Sequence, residues 1–320
     1  FLDTPGNREL VSEVDQALSV VKGAIVMIDG SKGIDVGSEQ LLSDLKEANL
    51  PTIIYLNKMD KENVRFETLI AKLKDILGNK VVPFLWPVME GEKFRGYVDL
   101  VDMRTRVLEN GKIVEKEVSP ELAEQVSELR ESIIEGVAET SEDLLDKYFG
   151  GEKLTQEEII GGLRKGVLAG DLMPVMVGSA VKDIGTIDML EIIEKYMPAP
   201  NDLKPIKVKV PDSDEIVERQ TKDDAPFSAY CFKTTVDPFI GIISYIKVFS
   251  GTLESGQRID VPSSGESVKI NQLTLLRGKE QIDVDVLHAG DIGVITKLEE
   301  IYTGCTLADP KNPVIITGPE

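Results

Sequence analysis

The sequence is poor in the residues that most metal and nucleophile chemistries require. Its 320 residues include two cysteines and one histidine. Cys231 and Cys305 are too few and too far apart for a cysteine-ligated zinc site, and a chain of this length needs no disulfide framework. His288 is the single imidazole, so any catalytic triad or histidine-ligated metal would have to be built around it. Basic charge is also short, with 36 Lys plus Arg against 56 Asp plus Glu and a net charge of −20. Phosphate affinity rests mainly on Lys and Arg, so loose nucleic-acid binding and sequence-specific DNA binding are not expected. A local RNA-facing patch stays open. No apolar run approaches the ~20 residues of a membrane span. No basic-then-apolar leader opens the chain, so the expectation is a cytoplasmic protein with no membrane partner. The first residue is Phe rather than Met, which leads us to expect a piece of a longer protein.

What is present is enough apolar sequence to fold. With 42% hydrophobic and 29% charged residues the chain reads as globular, and its length suggests roughly two domains. Over residues 1–85, short apolar runs alternate with amphipathic stretches. Ala24 to Asp29 and Thr52 to Asn57 are nearly continuous apolar runs, as parallel strands covered on both faces should be. Ser38 to Asn49 reads as a helix between them, with Leu41, Leu42 and Leu45 on one face. A third such strand, Met173 to Ser179, comes much later and is followed by a helix over Ile184 to Tyr196. Right-handed βαβ units and an open α/β sheet are the expected arrangement.

Residues 86–166 interrupt that pattern. Tyr97 to Val101 and Arg106 to Leu108 read as strands, and Asn110-Gly111 before Ile113 is a two-residue hairpin signal. Ser119-Pro120 opens a helix with Leu122, Val126, Leu129, Ile133 and Val137 on one face, and Thr155 to Glu158 has the pattern of a capping box. This block is expected to be an α+β insert, with Trp86 packed at its boundary. The α/β domain resumes over 167–200, and a Pro- and Asp-rich linker with a short strand at Ile206 to Val210 fills 201–225. From 226 to 310 short β-branched runs are punctuated by turns such as Asp237-Pro238, Ser250-Gly251 and Ala289-Gly290. That rhythm predicts a β-barrel or sandwich. Residues 311–320 then begin a further linker.

Three short motifs sit where α/β strands end, the edge at which open α/β sheets bind ligands. In Asp3-Thr4-Pro5-Gly6, the carboxylate can hold Mg²⁺ through water and the Gly amide can approach a terminal phosphate closely. A plain strand-to-helix turn would account for the same letters. In Asn57-Lys58-Met59-Asp60, one carboxylate can accept the two N–H groups of a guanine edge, which adenine cannot offer. Asn57 can bridge base and loops, while the Lys58 stem can lie over the ring; a helix-start turn is the structural alternative. In Gly178-Ser179-Ala180-Val181-Lys182, a backbone N–H can reach the base oxygen and Lys182 can pack on the opposite ring face. Each motif alone is weak, and their order and placement give them weight.

With these three boxes the sequence resembles the translational GTPases, most closely elongation factor G and its paralogues. Phe94-Arg95-Gly96-Tyr97-Val98-Asp99-Leu100 is similar to the start of that group's insert. Pro226 to Lys233, Asp237 to Gly241, Val248 to Leu253 and Ala289 to Ile292 are similar to its barrel. The resemblance implies a P-loop GTPase-type sheet with an α+β insert, followed by a translation-factor barrel. It implies GTP and GDP as ligands with Mg²⁺, and the ribosome, through rRNA and ribosomal proteins, as partner of a monomer. Nucleotide-binding roles fall on Asp3, Gly6, Asn57, Lys58, Asp60, Ser179, Ala180 and Lys182, with Asp3 on Mg²⁺ through water. Two features depart from the family. No Gly-x4-Gly-Lys-Ser/Thr phosphate loop occurs in these residues, nor does switch I, and both are expected before Phe1. The position that is usually a water-orienting His is Asn7. The expectation is therefore a divergent paralogue that hydrolyses GTP during translocation-type switching. A ribosome-binding switch with little turnover, or a ribosome-protecting resistance factor of the same family, is the alternative. Outside the boxes, His288 is expected at the surface, the cysteines in the barrel core, and the acidic stretch from Glu115 to Asp146 as a solvated face.

Overall fold

The computed structural model describes residues 1–6, 8–278 and 280–317. Asn7, the expected catalytic position, lies outside the described residues. The chain divides into two compact units, Lys22–Pro198 and a second formed by Phe1–Val21 with Ala199–Glu320. The second unit opens with helix α1 (Val11–Leu18).

In the Lys22–Pro198 unit, four parallel strands form one sheet in the order β1-β2-β8-β3. These are β1 (Ala24–Asp29), β2 (Thr52–Asn57), β3 (Val81–Pro83) and β8 (Met173–Val177). Successive residues Ile53, Ile54, Tyr55 and Leu56 are all buried, so both faces of β2 are covered and its unbroken apolar run is accounted for. Helices α2 (Val36–Glu47) and α3 (Phe66–Leu77) follow β1 and β2. Helix α2 starts two residues before the expected Ser38 because Asp35 is its cap, accepting the Ser38 N–H at 2.7 Å. The edge strand β1 leaves Met27 half exposed.

Between β3 and β8 lies the insert. It is a four-stranded antiparallel meander of β4 (Leu85–Glu90), β5 (Lys93–Asp99), β6 (Arg104–Glu109) and β7 (Lys112–Lys116). Asn110 and Gly111 both have positive φ, 49° and 77°, as the tight turn joining β6 to β7 demands. Three helices follow: α4 (Pro120–Ala138), α5 (Glu142–Phe149) and α6 (Gln156–Leu168). Pro120 sits at the first turn of α4, whose buried face carries Val126, Ile133 and Val137. The capping box on α6 is formed, with Thr155 Oγ1 accepting from Glu158 N and Glu158 accepting from Thr155 N. Trp86 is buried edge-on against Phe66 of α3, with ring centroids 4.8 Å apart. The last helix of the unit is α7 (Thr186–Tyr196).

The other unit holds a hairpin of β9 (Ile206–Lys209) and β10 (Ile216–Arg219), where one short strand was expected. Its main body runs through β11 (Ser228–Asp237), β12 (Gly241–Ser250), β13 (Leu253–Glu254), β14 (Arg258–Val261) and β15 (Glu266–Lys269). It continues with β16 (Leu273–Arg277), β17 (Glu280–Val284), β18 (Val286–Leu287), β19 (Ile292–Thr296) and β20 (Thr306–Ala308). Eight of these form an antiparallel sheet ordered β15-β14-β20-β11-β12-β19-β16-β17, and β13 pairs with β18. Val268 at one end of the sheet and Val284 at the other pack into the same apolar cluster as Ile246 and Leu307. The sheet therefore curls around a single core. Cys231 and Cys305 are buried free thiols of that core.

Residues 1–6 form no strand, although Asp3 was expected at a strand end. Leu2 packs instead against a second cluster with Val20, Val208, Phe232 and Phe249, and Glu13 pairs with Lys233 of β11. Residues expected in the first part of the α/β domain thus group with the barrel unit.

Candidate functional site

Parallel pairing brings three strand ends side by side. Asp29 at the end of β1 faces Asn57 at the end of β2, and Leu56 faces Val177 at the end of β8. The chain leaves β2 through Lys58, whose φ of 62° turns the backbone out of the sheet. Asn57 clips the two neighbouring loops together. Its Oδ1 accepts the Lys58 N–H at 2.8 Å and the Ala180 N–H at 3.0 Å. Met59, buried beneath, donates its N–H to Gly178 O at 3.1 Å, and Gly178 N–H reaches Leu56 O at 3.0 Å.

The β8 loop is equally constrained. Ser179 is fully buried and its Oγ donates to Asp60 Oδ1 at 2.6 Å, while Lys182 N–H reaches the same hydroxyl at 3.3 Å. Ser179 and Ile184 exchange backbone hydrogen bonds of 3.0 and 3.1 Å, closing the turn, and Tyr55 Oη donates to Ile184 O at 3.2 Å. This is why β8 stops at Val177 and α7 starts only at Thr186, each two residues short of expectation. Gly178 is required by close approach: a Cβ there would lie 2.0 Å from Tyr55 Oη and 2.4 Å from Ile184 O. The buried Tyr55 hydroxyl is itself pushed up to about 12 by desolvation, so it stays a neutral donor.

Electrostatics bind the first strand end to the second. Lys58 Nζ lies 2.6 Å from Asp29 Oδ2, and Ser31 donates its N–H and Oγ to Asp29 Oδ1 at 3.1 and 2.6 Å. Led by the Lys58 hydrogen bond, these contacts hold the Asp29 carboxyl down at about 2. The rim faces solvent, with Ala180, Val181 and Lys182 exposed and Asn57 and Asp60 half-buried. Asp60 Oδ2 has no hydrogen-bond partner among the described residues.

Of the residues singled out from sequence, Asn57, Lys58, Asp60, Ser179 and Ala180 converge here, with Lys182 at the end of the same turn. Asp3 and Gly6 lie in the other compact unit, both exposed. The Ala180 N–H, expected to face a base oxygen, donates to Asn57, and the Lys58 ammonium pairs with Asp29. Sequence reasoning missed Asp29, Ser31 and Tyr55, and gave Gly178, the first residue of the third motif, no role of its own. The signal for Asp29 was available, since it terminates the β1 run as Asn57 terminates β2. A half-buried carboxylate with one unsatisfied oxygen beside an amide clip suits a planar ring edge carrying adjacent N–H donors. Among the described residues no group of three His, Cys, Asp or Glu side chains could hold a metal ion, and Asp3 offers a single carboxylate. His288 makes an exposed pair with Asp223 at 2.7 Å. No helix among the described residues is long and apolar enough to cross a membrane.

Comparison with known proteins matches both halves. The model of the Elongation factor Tu GTP binding domain matches residues 1–199, and that of Elongation factor G domain 2 matches residues 226–309. A solved structure from Thermus thermophilus is 29% identical to the chain and superposes with a TM-score of 0.83. The match covers 98% of this chain and 44% of the solved one, so the chain spans less than half of that protein's length. Strand-end boxes, insert and barrel follow in the same order in the sequence as the two matched domains, and the chain belongs to the translational GTPases of the elongation factor G family.

Proposed function

We propose that the Lys22–Pro198 unit supplies the guanine-recognising part of a GTP-binding translation factor, and that the barrel unit helps dock that factor on the ribosome. The observation that carries this reading is the Asp60 carboxylate, oriented by Ser179 at 2.6 Å with its other oxygen unpaired beside the Asn57 clip. Such a group accepts the ring and exocyclic N–H of guanine, whereas adenine would leave it buried without a donor. Lys58 can exchange its Asp29 contact for the ring face, and Lys182 can cover the opposite face. Bound GTP would supply the free-energy difference between two states of the factor, with Mg²⁺ neutralising its phosphates. The proposed roles of Asp3, in holding that ion through water, and of Gly6, at a terminal phosphate, rest on sequence position. So does the proposed role of Asn7, in orienting water. We place the factor in the cytoplasm as a monomer acting on rRNA and ribosomal proteins.

The test is nucleotide selectivity of the complete protein. GDP should bind about a hundredfold or more tighter than ADP, and Asp60→Asn should shift preference toward xanthosine diphosphate. Equal affinity for ADP and GDP would sink the guanine assignment. Asn7 favours a second reading, a ribosome-bound switch with little turnover, because a neutral amide cannot take the positive charge a histidine can. Single-turnover GTP hydrolysis with ribosomes, wild type against Asn7→His, separates the two. Fast wild-type hydrolysis unaffected by the substitution rules out the slow switch.

A further inference from the structure

The turn that closes the candidate site is followed at once by α7, and the first turn of α7 carries an acid that makes no cap. Asp188 lies three residues past Gly185, the N-cap position, where an acidic side chain ordinarily faces the exposed N–H groups of its own helix. Here both of its oxygens face the insert. Tyr97 Oη, on β5, donates to Asp188 Oδ2, and Arg106 Nη1, on β6, stands 3.7 Å from Oδ1. Tyr97 is completely buried, and the Arg106 and Asp188 side chains are less than one-fifth exposed. The guanidinium is itself immobilised, 3.2 Å from Asp99 Oδ2, 2.7 Å from Asp102 Oδ2 and 3.3 Å from Glu115 Oε2. A fixed cation and a buried phenol therefore grip the helix from a sheet more than eighty residues away in sequence.

From Asp188 the first turn of α7 leads back two residues to Thr186, where the contacts with the site begin. Thr186 Oγ1 donates to Asp183 Oδ1, Asp183 occupies the left-handed region at φ 54°, and Ile184 exchanges hydrogen bonds with Ser179. Ser179 then orients Asp60, and Ala180 meets Asn57. We propose that Tyr97 and Arg106 are positioning residues for the base-contact turn, holding Ser179 and Ala180 in register with Asn57 and Asp60 through Asp188. The insert then has a part in nucleotide recognition without touching the nucleotide. This inference rests on the guanine reading for its functional half, and on geometry alone for its mechanical half.

The experiment reads the halves separately. Amide hydrogen exchange on the nucleotide-free 320-residue chain follows Ser179, Ala180, Lys182 and Ile184, with the β1 and β2 amides as internal control. Losing a hydrogen bond to a charged group should open the turn, so Tyr97→Phe and Asp188→Ala should speed exchange at these four amides about tenfold. The β1 and β2 amides should not change. Asp188→Asn, which still accepts from Tyr97, should recover most of the protection. Unchanged exchange at the turn, or a rise spread evenly through β1 and β2, overturns the tether. Should Asp188→Ala fail to fold, Tyr97→Phe carries the test, since it removes one oxygen from a packed ring. In titrations of the complete protein with GDP and inosine diphosphate, Tyr97→Phe should weaken both equally, because Asp60, which reads the exocyclic amine, remains in place. Unaltered GDP affinity despite faster exchange overturns the functional half. Absence of GDP binding by the complete wild-type protein counts against the guanine reading, and the exchange result still decides the tether.

Discussion

Two clusters of charge in the Lys22–Pro198 unit use the same side chains in opposite ways. At the strand ends, Asp29 and Lys58 meet at the surface, and the lysine with its neighbouring hydroxyl holds the carboxyl down at about 2. In the insert, Asp99 accepts N–H groups from Val101 and Asp102 and faces Arg106, yet burial, reinforced by the like charge of Asp102, pushes its carboxyl up to about 6. Desolvation decides the difference. Where water reaches the pair, each partner can leave the other at little cost, which suits the ligand-facing role proposed for Lys58. Where water is excluded, a charge cannot lose its partner without a large penalty, which suits a joint.

Breaking the buried joint should therefore have the largest effect. Arg106→Met leaves Asp99, Asp102 and Asp188 facing one another and should cost about 3–5 kcal/mol in urea unfolding. A loss below about 1 kcal/mol would make the cluster no different from a surface pair. Gly178→Ala comes next. The methyl group must displace both Tyr55 Oη and the Ile184 carbonyl, at a cost of roughly 1–3 kcal/mol. Its damage should concentrate in the turn between β8 and α7, visible as faster exchange of the Ile184 amide.

The pH response sharpens the comparison further. Asp99 has a folded pKa above its unfolded value, so the folded chain holds an extra proton between about pH 4 and 6. Its contribution therefore weakens as pH rises through that window, and Asp99→Asn should reduce the stability lost between about pH 4 and 6 by roughly 1–3 kcal/mol. Asp29 has the opposite sign, since its stabilisation is complete above about pH 4 and fades toward pH 2. Thermal melts of wild type and Asp99→Asn from pH 4 to 7 measure the difference directly. The smallest effect belongs to the exposed pair: Lys58→Met should change stability by less than about 1 kcal/mol while reducing GDP affinity. Unaltered GDP affinity would mean that Lys58 serves only Asp29.

Legibility in the sequence followed the same divide. The run Thr52–Asn57 shows its strand bounds because a doubly covered strand must be apolar throughout; Ala24–Asp29 shows its bounds too, although it was expected to be covered on both faces and, as an edge strand, leaves Met27 exposed. Asn110-Gly111 announced its turn and Thr155 with Glu158 its cap, since both depend on residues within a few positions. The boxes at Asn57 to Asp60 and at Gly178 to Lys182 were visible for the same reason. Arg106 was not: as an isolated letter it is one base among many, and its meaning comes from Asp99, Asp102 and Asp188 converging on it. The grouping of residues 1–21 with the barrel was equally hidden, because Leu2 and Glu13 carry no local sign of Phe232 or Lys233 as partners.

The poverty in cysteine and histidine, the acidic balance, the order of α/β elements, insert and barrel strands, and the loops that carry the proposed recognition residues are properties of the sequence itself. They depend on composition and on periodicities shorter than a turn or two of chain. Tertiary structure alone decided that Asn57 clips Ala180, that Ser179 orients Asp60, that Lys58 rests on Asp29, and that a buried arginine and tyrosine in the insert hold the helix behind the site. Those are contacts between groups 29 to 123 residues apart. No local pattern encodes them, because the parallel register and the exclusion of water that bring them together exist only once the whole unit has packed.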